Sequence, residues 1–151
     1  MKRFTLFCLI TLLAVVATAA QGANTIRWRM SVKMTSDTEG VITLRAVVQQ
    51  GWHLYGTHLP ANGPKPTKFN FSNSVGIQTV GHLTPSRKPL TVHDEMFDMD
   101  LTWWDANVEF TQKFKITNRE GAKVVATVNF MGCNNQNCLP PKTETLTYIF
   151  K

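Results

Sequence analysis

From residue 25 onward, apolar and polar side chains alternate. In TIRWRMSVKM (25–34), Ile26, Trp28, Met30, Val32 and Met34 fall on one side of the chain, with Arg27, Arg29, Ser31 and Lys33 between them. A period of two over ten residues predicts a strand with one buried face. VITLRAVVQQ (41–50) repeats the pattern through Ile42, Leu44, Ala46 and Val48. EFTQKFKI (109–116) does so through Phe110, Gln112, Phe114 and Ile116. KVVATVNF (123–130) and TETLTYIF (143–150) read as two more strands. Shorter ones are expected at GWHLY (51–55), TKFNF (67–71), VGIQTVG (75–81) and PLTVHD (89–94). SDTEG and TNREGA are turns, and the proline-rich GTHLPANGPKP (56–66) is loop. No stretch of ten residues has a helical period. Eight or nine short strands with regular turns predict an all-β, immunoglobulin-like antiparallel β-sandwich, with a closed barrel as the alternative.

The first residues break the alternation. MKRF supplies two positive charges, and TLFCLITLLAVVATAA is an apolar run ending in small residues. That is the form of a secretory leader, with cleavage expected after Ala19, Ala20 or Gly22. The run is short for a bilayer span, and no stop-transfer pattern follows. Residues 1–22 are therefore expected to be removed, Cys8 with them, leaving residues 23–151 as one exported, monomeric domain. Loss of Lys2 and Arg3 lowers the formal charge from +6 by two, to +4. The excess is spread along the chain, and TPSRKP (84–89) is its densest patch. Basic residues clustered among aromatics, the mark of nucleic-acid binding, are absent, and export argues against such a partner.

Export leaves two cysteines, Cys133 and Cys138, in NFMGCNNQNCLPPKTE (129–144) between two predicted strands. An oxidising compartment favours their disulfide. Their side chains can meet across a hairpin connection. One reading is a structural staple, although so short a loop adds only about 2 kcal/mol on the chain-entropy view. The other is a redox site, with both sulfurs near the surface, where reducible disulfides belong. The residues alone leave both open. No metal is expected, because zinc needs four Cys or His ligands and His53, His58, His82 and His93 have no matching spacing. The C-x-x-C pattern of thioredoxins is absent as well.

Three segments resemble the N-terminal periplasmic domain of the thiol:disulfide interchange protein DsbD: GWHLY (51–55), HDEMFD (93–98) and GCNNQNCLPP (132–141). They occur in that family's order, and the resemblance runs from about residue 25 to the end of the chain. It implies the immunoglobulin-like fold and a reversible Cys133–Cys138 disulfide needing no bound cofactor. It implies a membrane-embedded thiol donor and periplasmic thioredoxin-fold acceptors, of the disulfide-isomerase or cytochrome-maturation type. Cys138 would form the mixed disulfide with them. The family's cap loop corresponds to HDEMFD, with Phe97 or the intervening Met96 shielding the sulfur, and Asp94 and Glu95 matching acidic residues there. His53 and Tyr55 share the strand face that carries tyrosines in the family. An imidazole at 53 would favour thiolate. The spacer between the cysteines is shorter than is usual in the family. With no membrane domain or thioredoxin-like domain in the sequence, electrons are expected from another polypeptide, unless the sequence is a fragment.

A reading of another class is a non-catalytic exported sandwich that binds a protein or glycan and carries a structural disulfide. Trp28, Trp52, Trp103 and Trp104 are its candidates. The adjacent pair in DLTWWDANVEF (100–110) must point to opposite faces of a strand, so at most one is free on either face.

Overall fold

The computed structural model describes residues 25–151; the expected leader and Cys8 lie outside the described residues. Eleven strands follow one another: β1 (Ile26–Met34), β2 (Glu39–Val48), β3 (His53–Tyr55), β4 (Lys68–Asn70), β5 (Ile77–Pro85), β6 (Leu90–Asp94), β7 (Met99–Trp104), β8 (Val108–Ile116), β9 (Lys123–Phe130), β10 (Gly132–Cys133) and β11 (Lys142–Ile149). All pairings are antiparallel. The sheet orders are β1-β2-β8-β5, β10-β3-β7-β6 and β11-β9-β4. Three open sheets around a common core make a sandwich, not the closed barrel. No helix among the described residues is long and apolar enough to cross a membrane.

The alternating strands bury the faces their sequences mark. Ile26 and Trp28 of β1, Ile42, Leu44 and Ala46 of β2, and Phe110 and Phe114 of β8 meet Val124, Ala126, Val128 and Phe130 of β9. Leu54 of β3 and Trp104 of β7 close the same core. Fully burying one such side chain stabilises the fold by about 1.5–3 kcal/mol. Phe69 and Phe71 also pack here, as expected of one face, although β4 itself ends at Asn70. Gln112 stands in step with the apolar residues of β8 and is buried. Its Nε2 donates to the carbonyls of Val80 (2.9 Å) and Lys113 (3.0 Å), which removes the penalty of a bare amide.

Two strands were not set out by alternation, although the adjacent tryptophans of one were read as lying on a strand. β7 has apolar contacts on both faces: Trp104 enters the main core, while Leu101 and Trp103 pack in a second cluster on the opposite side. A strand covered on both faces has no period of two to read. β10 lies inside the connection taken to be a plain hairpin loop. The chain leaves β9 in one sheet and pairs Gly132 with Leu54 and Cys133 with His53 in another before returning along β11. This crossing places the cysteine segment.

Candidate functional site

A side chain at position 132 would displace its neighbour, because a β-carbon there would lie 2.6 Å from Cδ1 of Ile26. Glycine therefore lets β10 press against the first strand. Beyond it, Asn134 forms a tight turn. Its Oδ1 accepts the amides of Gln136 (2.9 Å) and Asn137 (2.6 Å), and its own N–H donates to the Asn137 carbonyl at 2.9 Å. Asparagine side chains favour such local bonds. The turn brings Cys138 back opposite Cys133, with 4.1 Å between their Cα atoms, and the two form a disulfide.

The two sulfurs have different surroundings. Cys133 is 1% exposed and packs with Tyr55 and Leu101. Cys138 is half-buried. The expectation that both would lie near the surface is thus corrected: pairing of β10 with β3 carries Cys133 inward, and Cys138 alone faces the rim. The sulfur of Met96 touches the Cys138 sulfur at 3.4 Å, while the Met96 side chain is itself largely exposed. Phe97, half-buried, sets its ring edge-on to Tyr55 at 6.2 Å and packs against the same cluster. Of the two expected cap residues, Met96 is on the sulfur and Phe97 is beside the tyrosine under it.

Asp94, at the end of β6, organises this loop. It is 7% exposed. Its Oδ1 accepts the backbone amides of Met96 (2.9 Å) and Phe97 (3.2 Å), and its Oδ2 accepts the Tyr55 hydroxyl at 2.8 Å. One carboxylate therefore ties the cap loop to the strand beneath it. The Tyr55 hydroxyl also lies 3.9 Å from the Cys138 sulfur. Burial, and after it the hydrogen bond to Asp94, push the phenol well above its usual range, so it stays a protonated donor. Glu95, by contrast, is exposed and has no hydrogen bond or ion pair among the described residues.

His53 and Tyr55 do share a face, with ring centroids 5.0 Å apart. His53 stacks on Trp103 at 4.1 Å. It is buried, and its Nε2 has no hydrogen-bond partner. Burial pushes its pKa below the ordinary 6.5, against the pull of Asp94 and Asp105, so the ring is neutral at pH 7. These groups line a cleft of 270 Å³ together with Val92, His93 and the Asn134–Asn135 turn.

One contact escaped the sequence. His93, which stands alone by spacing, bridges the loop it begins: Nε2 is 3.3 Å from Asp98 and Nδ1 is 3.2 Å from Asp100. The hydrogen bond to Asp100, with Asp98 adding to it, raises the imidazole above 6.5. Asp98 takes a positive φ of 52° at the hairpin tip, a conformation aspartate tolerates better than most residues. The signal was present in HDEMFDMD (93–100), where β6 and β7 fold back and bring His93 opposite Asp100.

The tryptophans offer no exposed platform. Trp28 and Trp104 are core residues, Trp52 packs against the core, and Trp103 lies under His53.

Comparison with known proteins agrees with this geometry. The family described as "Thiol:disulfide interchange protein DsbD, N-terminal" matches residues 22–149. The fold is shared with the N-terminal domain of Neisseria meningitidis DsbD in the reduced form. There the identity is 16%, the match covers 84% of this chain and 91% of that one, and the TM-score is 0.51. It is shared with the N-terminal periplasmic domain of ScsB from Proteus mirabilis at 16% identity and a TM-score of 0.60, over 86% of this chain and 48% of that one. It also matches a chain from the complex between the DsbD and PilB N-terminal domains of Neisseria meningitidis, at 15% identity, 87% of each chain and a TM-score of 0.50. No curated protein sequence matches. The family and these folds agree with the periplasmic location expected from the leader.

Proposed function

This chain belongs to the family of DsbD N-terminal domains, and on that premise we propose that it relays reducing equivalents in the periplasm through reversible opening of Cys133–Cys138. Residues 1–22 export it, and residues 23–151 act. Family membership and the disulfide support a thiol-exchange role; the route below is the finer reading.

A donor thiolate attacks the accessible sulfur, Cys138. The S–S bond breaks and Cys133 leaves as a thiolate that takes up a proton. A second donor thiol then displaces Cys138, so the donor is oxidised by two electrons and the pair is reduced to two thiols. In the forward step Cys138, as thiolate, attacks an acceptor disulfide, and the acceptor's leaving sulfur takes a proton. Cys133 attacks the mixed disulfide and restores Cys133–Cys138. Donor and acceptor are a membrane-embedded thiol protein and thioredoxin-fold proteins of the periplasm. Tyr55 and Asp94 stand where a proton must come and go at Cys138, and Met96 must move aside for any attack on that sulfur. Exchange rates follow thiolate fraction and access, and both are set here by the residues around Cys138.

The observation that carries this reading is the asymmetry of the pair. One sulfur is sealed in the fold, and the other is reachable under a single thioether on a tethered loop. A staple needs no such cover. The test is capture. With Cys133→Ala, a purified periplasmic thioredoxin-fold protein in its disulfide form is expected to become covalently joined through Cys138. Cys138→Ala should join to nothing. Equilibration of the native pair in thiol buffers should give a reduction potential of roughly −200 to −270 mV. A potential below about −300 mV, together with no captured partner, would return the disulfide to a structural role.

A further inference from the structure

The basic residues look dispersed along the chain, but the fold gathers them. Strand alternation puts Arg27, Arg29 and Lys33 of β1, Arg45 of β2, and Lys113 and Lys115 of β8 on the outer face of the β1-β2-β8-β5 sheet. All six are exposed. Glu39 and Glu109 are the two carboxylates on that face, and they pair with Lys115 at 3.2 Å and Arg45 at 3.7 Å. Arg27, Arg29, Lys33 and Lys113 have no ion-pair partner among the described residues. Six cations against two carboxylates is an excess of four. Residues 25–151 contain fourteen Lys and Arg against ten Asp and Glu, which is the same excess. The rest of residues 25–151 therefore balances, eight charges against eight, and one sheet face carries an excess equal to that of the whole.

The register shows that this face is not arranged for its own stability. Arg29 lies directly across from Arg45, where like charges repel. Lys33, Val41, Lys113 and Val80 form one row across the sheet, two cations alternating with two valines. No Phe, Tyr, Trp or Met side chain points outward on β1, β2 or β8, so the aromatic and methionine anchors typical of a protein interface core are missing. The cations from Arg27 to Lys33 span about 20 Å along β1, too far apart for one small anion to bridge. A broad, pleated, cationic face suits a broad anionic surface, and a hollow on it, 410 Å³ among Glu39, Val41, Val80, Lys113 and Lys115, is itself lined by two of the cations.

We propose that the outer face of this sheet docks on an anionic lipid surface. Electrostatic attraction to acidic headgroups supplies the affinity, each basic residue near the surface strengthening it several-fold. The same pose orients the disulfide. Leu54 and Trp104 of the disulfide-bearing sheet face the core that the basic sheet covers, whereas Cys133 and Tyr55 lie on the opposite side. Docked by its basic face, the molecule turns Cys138 away from the bilayer. The exposed carboxylates Glu95 and Asp98 of the cap loop, which covers the Cys133 side, are kept off a surface of like charge.

The test is vesicle sedimentation with the exported chain after leader removal, and it does not depend on the redox reading. Vesicles of phosphatidylcholine with roughly one-third phosphatidylglycerol should pull the protein down in about 50 mM salt, and release it in about 500 mM salt. Pure phosphatidylcholine should not bind it. Replacing Arg27, Arg29, Lys33 and Lys113 by Gln should weaken binding at least about tenfold. Replacing the exposed Lys65, Lys68, Lys88 and Lys142 by Gln removes equal charge elsewhere and should change it less than about twofold. Arg29→Glu alone, which relieves the Arg29–Arg45 repulsion, should keep the fold and still weaken binding. Thiol reduction of Cys133–Cys138 should be unchanged in every variant, so a failure here is separate from a failure of the relay. No binding to the anionic vesicles, or equal loss in both four-residue variants, overturns the proposal.

Discussion

The molecule has two apolar clusters, and they are built on opposite principles. The main core lies between sheets and is made of side chains that alternate along long strands, with Gln112, whose Nε2 donates two hydrogen bonds, as an exception. The second, around Tyr55, Leu101 and Cys133, lies on the outer side of the β10-β3-β7-β6 sheet and has no sheet over it. Its cover comes from loops: Leu59 from one, Phe97 from the cap, Met131 and Cys138 from the cysteine segment. It also contains a buried carboxylate and a buried imidazole. A cover of strands is fixed by many ladder bonds, and a cover of loops hangs on a few. Here the few are the bonds to Asp94. The first cluster holds the fold; the second is where the proposed relay would need its cover to lift.

Truncating a residue in each cluster should separate the two most sharply. Phe110→Ala, in the main core, should cost about 3–5 kcal/mol in urea unfolding. Cys138→Ser should abolish exchange with a partner disulfide altogether, yet cost only about 2 kcal/mol, the value of closing so short a loop. Comparable stability losses in the two variants would erase the distinction.

Asp94→Ala comes next. It leaves two loop amides and a buried phenol without their acceptor, and hydrogen bonds to a charged group contribute about 1.5–3 kcal/mol. The expected result is a loss of that order, with faster reduction of the disulfide by dithiothreitol. If reduction is not faster, the carboxylate is only structural.

Met96→Ala should do the reverse of Phe110→Ala. Stability should stay within about 0.5 kcal/mol, because the side chain is largely exposed. Small thiols should reduce the disulfide several-fold faster, since the contact at the Cys138 sulfur is gone. Phe97→Ala is the partner experiment: it should lower stability more and uncover the sulfur less.

The smallest effect is that of pH on the cap. His93 gains two carboxylate partners on folding, so its folded pKa is raised above 6.5. Its contribution is complete below 6.5 and is lost as pH rises through the raised value. Reduction by a phosphine, whose own reactivity changes little with pH, should quicken slightly over that window. His93→Gln should flatten the change.

The same contrast explains what the chain reveals as a sequence. Strands β1, β2, β8 and β9 were legible because each has one wet and one dry face. β7 showed only in its adjacent tryptophans, because its two faces join two clusters. The disulfide was legible as a pairing, but the burial of Cys133 was not, since it follows from a register with His53 some eighty residues away. Asp94, Met96, Phe97, His53 and Tyr55 were all singled out by family resemblance; all but Phe97 line the cleft, and Phe97 packs in the cluster beside it. What stayed hidden was which of them touch, and the bridge from His93 to Asp98 and Asp100. The basic face was hidden for a related reason. Alternation spaces its charges two apart, and only the ladders lay them side by side.

The bare α-carbon of Gly132, pressed against Ile26, ties the beginning of the exported chain to its end. During synthesis β1 emerges first and the cysteine segment almost last. The strand that carries Cys133 takes its seat along β3, against that earliest strand. Shielding of the sulfurs is thus an outcome of completed folding: an unfinished chain has reactive cysteines, and a finished one has a guarded disulfide. The same contact restricts sequence drift. Any residue at 132 larger than glycine makes the end of the Ile26 side chain move or shorten, so the two positions are coupled although more than a hundred residues separate them.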